Sequence, residues 1–305
     1  MPSNRPAADI VFVVSGDPRP VFSYAQTPIA YARHAAALLA GENGLYRPHI
    51  VGFHTGPTER TSLDGVALTL LANDSAIAGP DSYLSRDLWG AIASASIVHV
   101  VQPAHATGAL ALVTARSLGK KIVAAALGGG GIGIMLFERG LTLADRILFP
   151  CETMRQGLSS WIGGGGTVLP PPVDPGRFAP LDLPRAGTVC ADPLGDGAAA
   201  RQLIDAQADH IPLLFCGPGQ SPAQITALQT YAGAKQITFG EAADASALRA
   251  AFAAAAEAKS GYSAEQPQSL WLWEALACGT PGAPRPEAAM TLPRLYQQLL
   301  AEDGP

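Results

Sequence analysis

The sequence predicts an α/β protein of two domains, each built around a parallel sheet. Its 305 residues exceed the usual size of a single domain. Short apolar runs alternate with alanine-rich stretches along the chain, and strands separated by helices of this length imply βαβ crossovers. The alternation is interrupted once, at residues 163–180, where glycine and proline are densest. We therefore expect a domain boundary close to Pro172.

The predicted elements begin with the apolar strand Asp9–Val14 and the helix Pro28–Leu39, which has proline in its first turn. The same alternation continues to the boundary. The further predicted strands are His49–Phe53, Ala67–Leu71, Ile97–Val101, Lys121–Ala126 and Arg146–Phe149, and the further predicted helices are Ser85–Ser94 and Thr107–Leu118.

The alternation starts again beyond the boundary, which predicts a second, smaller α/β domain. We expect domains at residues 1–172 and 173–290, and a terminal helix at 291–305 that packs back toward the first domain. The predicted strands of the second domain are Gly187–Cys190, Pro212–Cys216 and Gln236–Phe239, and its predicted helices are Gly197–Ala208, Pro222–Tyr231 and Ser246–Ala258.

Composition narrows the function classes. Hydrophobic residues make up 48% of the chain, enough for packed cores, and the net charge of −5 gives no basic footprint for nucleic acid. The four cysteines show neither pairing nor metal-ligand spacing, so we expect buried thiols in a reducing compartment. The longest nearly uncharged apolar run, Ile122–Phe137, is shorter than the roughly 18–20 residues of a membrane helix, and the polar start is unlike a signal peptide. We expect a soluble, cytoplasmic protein without a transmembrane segment.

The motif richest in chemistry reads EQPQSLWLWEALACGTP at residues 265–281. It places Glu274 in the first turn of a short helix that stops at Gly279, with Pro281 two residues later. A carboxylate accepts hydrogen bonds from sugar hydroxyls, and the free N–H groups of a helix start suit phosphate. The start of this helix therefore indicates a site for a polyhydroxylated, phosphorylated ligand. The alternative is a capped helix that happens to carry one glutamate.

Six segments resemble family 4 glycosyltransferases in the order that the family has them. They read SIVHVV at 96–101, ADRILFPCETM at 144–154, VLPPPVD at 168–174, LLFCGPG at 213–219, QITFG at 236–240, and the motif at 265–281. The resemblance implies a GT-B fold, in which two Rossmann-like domains face a cleft. It also implies transfer of a sugar from a nucleoside-diphosphate sugar to an unknown acceptor without a bound metal or other cofactor.

The resemblance also implies site residues. Glu274 would hold the ribose hydroxyls, and Glu265 or Gln266 would contact the sugar, with Glu265 also a candidate catalytic group. Backbone N–H groups at Ser269 and Leu270 would face the diphosphate. The glycine turn at Gly217 belongs to the donor side, and Gly16 and Asp17 stand at the place of the acceptor loop.

Departures from the family pattern support a second hypothesis, a weak or inactive homologue that acts as a partner or scaffold subunit in a homo- or hetero-oligomer. The stretch Val189–Asp196 has two acids where the family has bases for the diphosphate. Gln266 stands in the register of the family's first glutamate, and Leu127 stands where a histidine is common. The end of the second domain is shortened. Lys259 would supply the missing positive charge, unless it is an ordinary solvated lysine.

Two further groups are candidates at strand ends. Gly128–Gly133 has the GxGxxG spacing, and we expect Gly129 and Gly130 to line the interdomain cleft. A plain flexible loop and a nicotinamide-binding loop of an NAD-dependent oxidoreductase are the alternatives. His99 and His105 lie at a predicted strand end and just beyond it, where ligands of parallel sheets bind. Either would act as acid or base or hold an acceptor hydroxyl, unless it is a buried or capping histidine.

Overall fold

The architecture is known from a computed structural model that describes residues 7–19, 27–74, 83–127, 140–158, 165–192, 194, 197–217, 220–240, 244–261, 271–281 and 291–302. The chain forms two compact units. Unit one comprises Met1–Arg19, Pro28–Pro172 and Glu287–Pro305, and unit two comprises Pro20–Thr27 and Val173–Pro286.

Unit one is a sheet with helices on both faces. Its helices are α1 (Thr27–Ala40), α2 (Leu88–Ile92), α3 (Ala106–Ser117), α4 (Glu152–Leu158) and, from the end of the chain, α9 (Leu292–Ala301). Its strands are β1 (Ala8–Val13), β2 (Tyr46–His54), β3 (Glu59–Leu63), β4 (Val66–Ala72), β5 (Ile97–Val101), β6 (Lys121–Ala125), β7 (Arg146–Phe149) and β8 (Thr167–Val168).

The eight strands of this sheet run in the order β3-β4-β2-β1-β5-β6-β7-β8. All neighbouring pairs are parallel except β3 and β4. The chain leaves β1 toward β2 on one side, and β5 lies on the other side of β1. The order therefore reverses between β1 and β5, and such a switch point is where open α/β sheets bind ligands.

The two faces of the sheet carry different helices. On one face, residues such as Val11 and Val98 pack against buried residues of α2 and α3. On the other face, the His99 ring lies against Phe12 of β1, Tyr31 of α1 and Tyr296 of α9. Burial of the strands on both faces explains why β5 is an unbroken apolar run apart from its histidine.

Unit two is smaller and has the same plan. Its four strands are all parallel, in the order β11-β10-β9-β12, so its switch point lies between β9 and β12. One apolar core includes Leu213, Phe215 and Phe252. The strands are β9 (Thr188–Cys190), β10 (Leu213–Phe215), β11 (Ile237–Phe239) and β12 (Glu257–Ala258), and the helices are α5 (Ala198–Ala206), α6 (Pro222–Ala232), α7 (Ala245–Ala254) and α8 (Trp271–Ala277).

Local chemistry fixes the helix ends of this unit. The Ser221 hydroxyl accepts a hydrogen bond from the Gln224 backbone, whose side chain reaches back, and this capping box begins α6. The Asp244 carboxylate caps α7 by accepting from the Ala247 N–H at 2.8 Å. The Lys235 ammonium donates to the terminal carbonyls of α5, where a positive charge is favourable.

Strands β12 and β3 differ from the predictions made from the sequence. The predicted helix Ser246–Ala258 is too long, because α7 ends at Ala254 and β12 follows, with Ala258 paired to Val189 of β9. The run AFAAAAEA has strong helix propensity, and pairing with β9 overrides it. Strand β3 was also not predicted, since it is polar and lies at a sheet edge. Its signal was the Asp64-Gly65 turn, with φ of 54° and 80°.

Candidate functional site

The switch point of unit one gathers polar groups from the ends of β1 and β5. The Ser15 hydroxyl, two residues after β1, lies 3.3 Å from the Thr107 hydroxyl in the first turn of α3. Thr107 donates to the carbonyl of Tyr83 at 2.7 Å. These contacts join the loop after β1 to the helix that follows β5, so the carboxyl edge of the sheet is a defined polar surface.

The turn after β5 is tightly held. Gln102 has a φ of 59°, a conformation that costs energy for a residue with a side chain, and its side-chain oxygen accepts from the Leu127 N–H at 3.2 Å. A Cβ on Gly108 would lie 2.6 Å from Pro103 Cα, so only glycine lets α3 approach this turn. The turn presents His105, half-buried, as the residue that precedes α3.

His99 is not at this edge. It lies in the middle of β5 with an exposure of 0%, and its Nδ1 is hydrogen-bonded to the hydroxyl of Tyr296. Burial lowers the pKa of His99 to about 3, so the ring is neutral at physiological pH. This position corrects the expectation of a histidine at a strand end, and the burial argues against a role as acid or base.

The loop with Gly16 and Asp17 folds over β2. The Gly16 carbonyl accepts from the Phe53 N–H at 2.9 Å, and a Cβ on Gly52 would lie 2.5 Å from Pro18 Cδ. The Asp17 carboxylate is bound by Arg19, with a shortest distance of 2.5 Å. Partial burial favours a higher pKa for Asp17, but the hydrogen bonds and charge of Arg19 outweigh it and lower the pKa. Asp17 is therefore already engaged by a cation of its own loop.

The switch point of unit two is centred on the carboxylate of Asp192, which is 3% exposed. It accepts hydrogen bonds from the Ser260 hydroxyl, the Gly261 backbone N–H and the indole N–H of Trp271, each at 2.7 Å. Burial raises the pKa of Asp192 and these hydrogen bonds offset part of that rise. We call Asp192, Ser260, Gly261 and Trp271 the Asp192 cluster.

The Asp192 cluster accounts for one of the two acids in the stretch Val189–Asp196. The Asp192 side chain is buried and satisfied by three donors, so its charge is held inside unit two. Sequence reasoning missed the cluster. The sequence shows Asp192 shortly after a predicted strand. Its partners lie beyond β12, a strand that the alanine-rich sequence did not predict. Asp196 lies outside the described residues.

Glu274 lies in α8 and is 5% exposed. The helix ends as predicted, with Gly279 at a φ of +78° and the Thr280 N–H bonded to the Ala275 carbonyl at 3.0 Å. The guanidinium of Arg185 donates to the carbonyl of Gly279, a position where a helix end favours positive charge. Trp271 and Trp273 lie in a helix, where residues two positions apart do not share a face.

Gly217 and Lys259 lie at carboxyl ends of strands in unit two. A Cβ on Gly217 would lie 2.1 Å from the Asp192 carbonyl oxygen, so this glycine is required for the ends of β9 and β10 to pack. The Lys259 ammonium lies 2.9 Å from the Glu257 carboxylate. The predicted donor-side roles of both residues stay predictions. The remaining predicted site residues lie outside the described part of the chain: Gly129, Gly130, Glu265, Gln266, Ser269 and Leu270.

No protein-family model matches the chain, and no curated protein matches it. Several solved structures are similar to the chain. The lipopolysaccharide outer core galactosyltransferase WaaB superposes with a TM-score of 0.54 at 11% identity, covering 90% of this chain and 79% of that one. AviGT4, a glycosyltransferase involved in avilamycin A biosynthesis, gives 0.53 at 14% identity, covering 96% and 88%. The chain has the GT-B fold.

A third structure of the same fold is a putative UDP-N-acetylglucosamine 2-epimerase from Listeria monocytogenes, with a TM-score of 0.55 at 12% identity, covering 90% of this chain and 78% of that one. The predicted fold class, a GT-B-like pair of Rossmann-like domains, is confirmed. At these identities the likeness concerns the fold. Among the helices that the structure describes, none is long and apolar enough to cross a membrane.

Proposed function

We propose that the protein binds a nucleoside-diphosphate sugar and transfers the sugar to an acceptor without a bound metal. The observation that carries the proposal is the placement of Glu274. It is a buried carboxylate in a helix whose first residue, Trp271, is bonded to the carboxylate at the switch point of unit two. The GT-B fold supports the assignment, because ligands of such sheets bind at the carboxyl ends of the strands.

Each role follows from the chemistry of the group. Glu274 accepts hydrogen bonds from the ribose hydroxyls of the donor. Glu265 or Gln266 contacts the sugar, and the backbone N–H groups of Ser269 and Leu270 hold the diphosphate. In unit one, His105 at the carboxyl edge is the group suited to hold or deprotonate an acceptor hydroxyl.

The first experiment is a calorimetric screen of uridine and guanosine diphosphates and their sugars, with NAD as a comparison. A ligand at 100 times its Kd stabilises the folded protein by about 2.7 kcal/mol, so thermal shift detects the same event. We expect stabilisation by a sugar nucleotide and none by NAD. Stabilisation by NAD alone would instead favour the oxidoreductase hypothesis.

The second experiment isolates Glu274. Glu274→Gln keeps the volume and removes the charge, and we expect it to weaken sugar-nucleotide binding by about tenfold, as for loss of a charged hydrogen-bond partner worth roughly 1.5 kcal/mol. Asp209→Ala is the matched control, because it removes an acid of unit two whose side chain is 81% exposed. Equal affinities for the Glu274 variant and wild type would contradict the proposal.

A second candidate function, an inactive homologue that serves as a partner subunit, is favoured by the Asp192 cluster. The Ser260 hydroxyl and the Gly261 N–H already bind an internal carboxylate, so they are not available to a diphosphate.

Turnover and light scattering distinguish the transferase from the partner subunit. Release of nucleoside diphosphate by a monomer supports the transferase, whereas a stable oligomer without turnover supports the partner subunit. Consumption of a sugar nucleotide without diphosphate release would indicate isomerisation of the sugar.

A further inference from the structure

The Asp192 cluster joins two stretches of chain that are distant from Asp192 in sequence. One oxygen of the carboxylate, Oδ1, accepts from both the Ser260 hydroxyl and the Trp271 indole. The other oxygen, Oδ2, accepts from the Gly261 N–H. The carboxylate therefore links the carboxyl end of β9 to the residues after β12 and to the first residue of α8.

We propose that Asp192 is a positioning residue for sugar-nucleotide binding, acting through Trp271 on the placement of Glu274. The inference rests on the proposed function, because it concerns the affinity of the same donor site. Asp192 itself is buried and bonded within unit two, so it need not touch the donor. Its effect is on where α8, and with it Glu274, is held.

One side of the cluster is fixed by packing. A Cβ on Gly261 would lie 2.2 Å from the Ala199 carbonyl oxygen, so the backbone here lies directly on the first turn of α5. The neighbouring Lys259 N–H is bonded to the Val189 carbonyl of β9 at 3.0 Å. The carboxylate is therefore held on the sheet side by the rigid backbone at Gly261, and its bond to Trp271 fixes the position of the indole.

The other side of the cluster sets α8. The ring of Trp271 stacks on Phe252 of the core, with centroids 5.5 Å apart and an interplanar angle of 19°. Stacking orients the plane of the ring, and the 2.7 Å bond to Asp192 anchors its N–H edge. The far end of the helix is held by Thr280, whose hydroxyl donates to the Phe252 carbonyl at 2.6 Å. With seven residues in α8, the two ends determine where Glu274 lies.

The geometry makes Asp192→Asn an informative substitution. Both oxygens of the carboxylate accept from fixed donors, so an amide of the same shape must turn its NH2 group toward one of them. Two donors then face each other, and at least one bond of the cluster is lost at constant volume. Trp271→Phe removes the indole bond of the cluster from the other partner while it keeps the aromatic stacking.

The experiment begins with wild-type protein and the tightest sugar nucleotide of the screen, measured by calorimetry. We expect Asp192→Asn and Trp271→Phe each to weaken binding about tenfold. Because both variants act through the Asp192 cluster, the double variant should bind about as weakly as either single variant. The indole ¹H–¹⁵N resonance of Trp271 reports the bond directly, and it should shift upfield in Asp192→Asn.

Gln207→Leu is the matched control, since Gln207 is buried and donates to the Thr188 hydroxyl at 3.0 Å and the Ile211 carbonyl at 3.2 Å, at the opposite end of β9. We expect it to lower the melting temperature without changing Kd. Equal losses of affinity in Gln207→Leu and Asp192→Asn would show that Asp192 only stabilises the fold of unit two, and this result would overturn the inference. So would wild-type affinity in both cluster variants. If wild type binds no sugar nucleotide, the proposed function itself fails.

Discussion

A buried, neutral imidazole makes the stability of unit one depend on pH. The pKa of His99 is about 3 in the folded protein, because burial disfavours its charged form, and it is about 6.5 in an unfolded chain. Between these values the unfolded state binds a proton that the folded state does not. The stability due to the neutral ring is therefore complete above about pH 6.5 and is lost as the pH falls toward 3.

His99→Phe tests this dependence. Over pH 4–6 the single proton contributes a slope of about 1.4 kcal/mol per pH unit to the free energy of unfolding, and the variant should lack it. Denaturant titrations of both proteins across this range give the difference between their free energies of unfolding. The carboxylates are the same in both proteins, so their contribution cancels. His210→Ala, at an exposed histidine, should keep the wild-type slope. Parallel curves for wild type and His99→Phe would contradict the prediction.

Two glycines at neighbouring strand ends should differ sharply in tolerance. A Cβ at Gly217 would lie 2.1 Å and 2.5 Å from carbonyl oxygens of Asp192 and Ala191, whereas a Cβ at Gly240 meets nothing within 4 Å. Gly217→Ala should destabilise unit two by about 1–3 kcal/mol or more, as overpacking does. Gly240→Ala should be neutral or slightly stabilising. Thermal unfolding of the two variants makes the comparison, and a small loss at Gly217 would show that β9 and β10 can separate there.

Helix α9 is the element that completes unit one. It buries Leu292, Leu295, Tyr296 and Leu299, a spacing of three and four residues that gives one apolar face. Two bonds fix its register on the sheet. The Tyr296 hydroxyl meets His99 of β5, and the Tyr46 hydroxyl of β2 donates to the Pro293 carbonyl at 2.9 Å. The helix therefore covers the middle of the sheet rather than an edge.

Tyr296→Phe tests the contribution of this helix. The substitution keeps the packing and leaves Nδ1 of His99 without its hydroxyl, and an unsatisfied buried polar group costs about 1–3 kcal/mol. Gln298→Ala, on the exposed side of α9, should change the free energy of unfolding by no more than about 0.5 kcal/mol. Chemical denaturation at pH 7.5 measures both. A loss in the control as large as in Tyr296→Phe would show that the buried hydrogen bond is not the source of the effect.

What the sequence predicts depends on how local the cause is. Apolar runs predicted β1, β5 and β6, and the Gly279–Pro281 stop signal predicted the end of α8, because these causes lie within a few residues. The Asp192 cluster could not be predicted in this way. Its partners are 68, 69 and 79 residues from Asp192, and only the pairing of β12 with β9 brings them together. His99 shows the same limit, since its partner Tyr296 is 197 residues away.

At the scale of the whole molecule, the described apolar packing of one unit is separate from that of the other. The core of unit two includes Leu213 and Leu228, and it shares no residue with the core that α2 and α3 form on the sheet of unit one. Each core has its own sheet and its own buried helices. Loss of packing in one unit should therefore be felt first within that unit.

Native-state hydrogen exchange tests this separation. Leu299→Ala removes a fully buried side chain from α9 and should lower the protection of β1 and β5 by about 2–5 kcal/mol. Leu228→Ala, in α6, is the converse variant and should lower protection in β9 and β10. Each variant is the control for the other. Equal loss of protection in all four strands after either substitution would show that the two cores open as one unit.

The return of α9 to unit one has a consequence for the order of synthesis. Every strand of the first sheet precedes residue 173, yet the helix that covers His99 is made only after the whole of unit two. At about 5–20 residues per second, a ribosome takes on the order of ten seconds to cross that interval. For that time the part of the sheet face that α9 covers has not yet received its helix. Such a surface is prone to aggregation until α9 emerges and covers it.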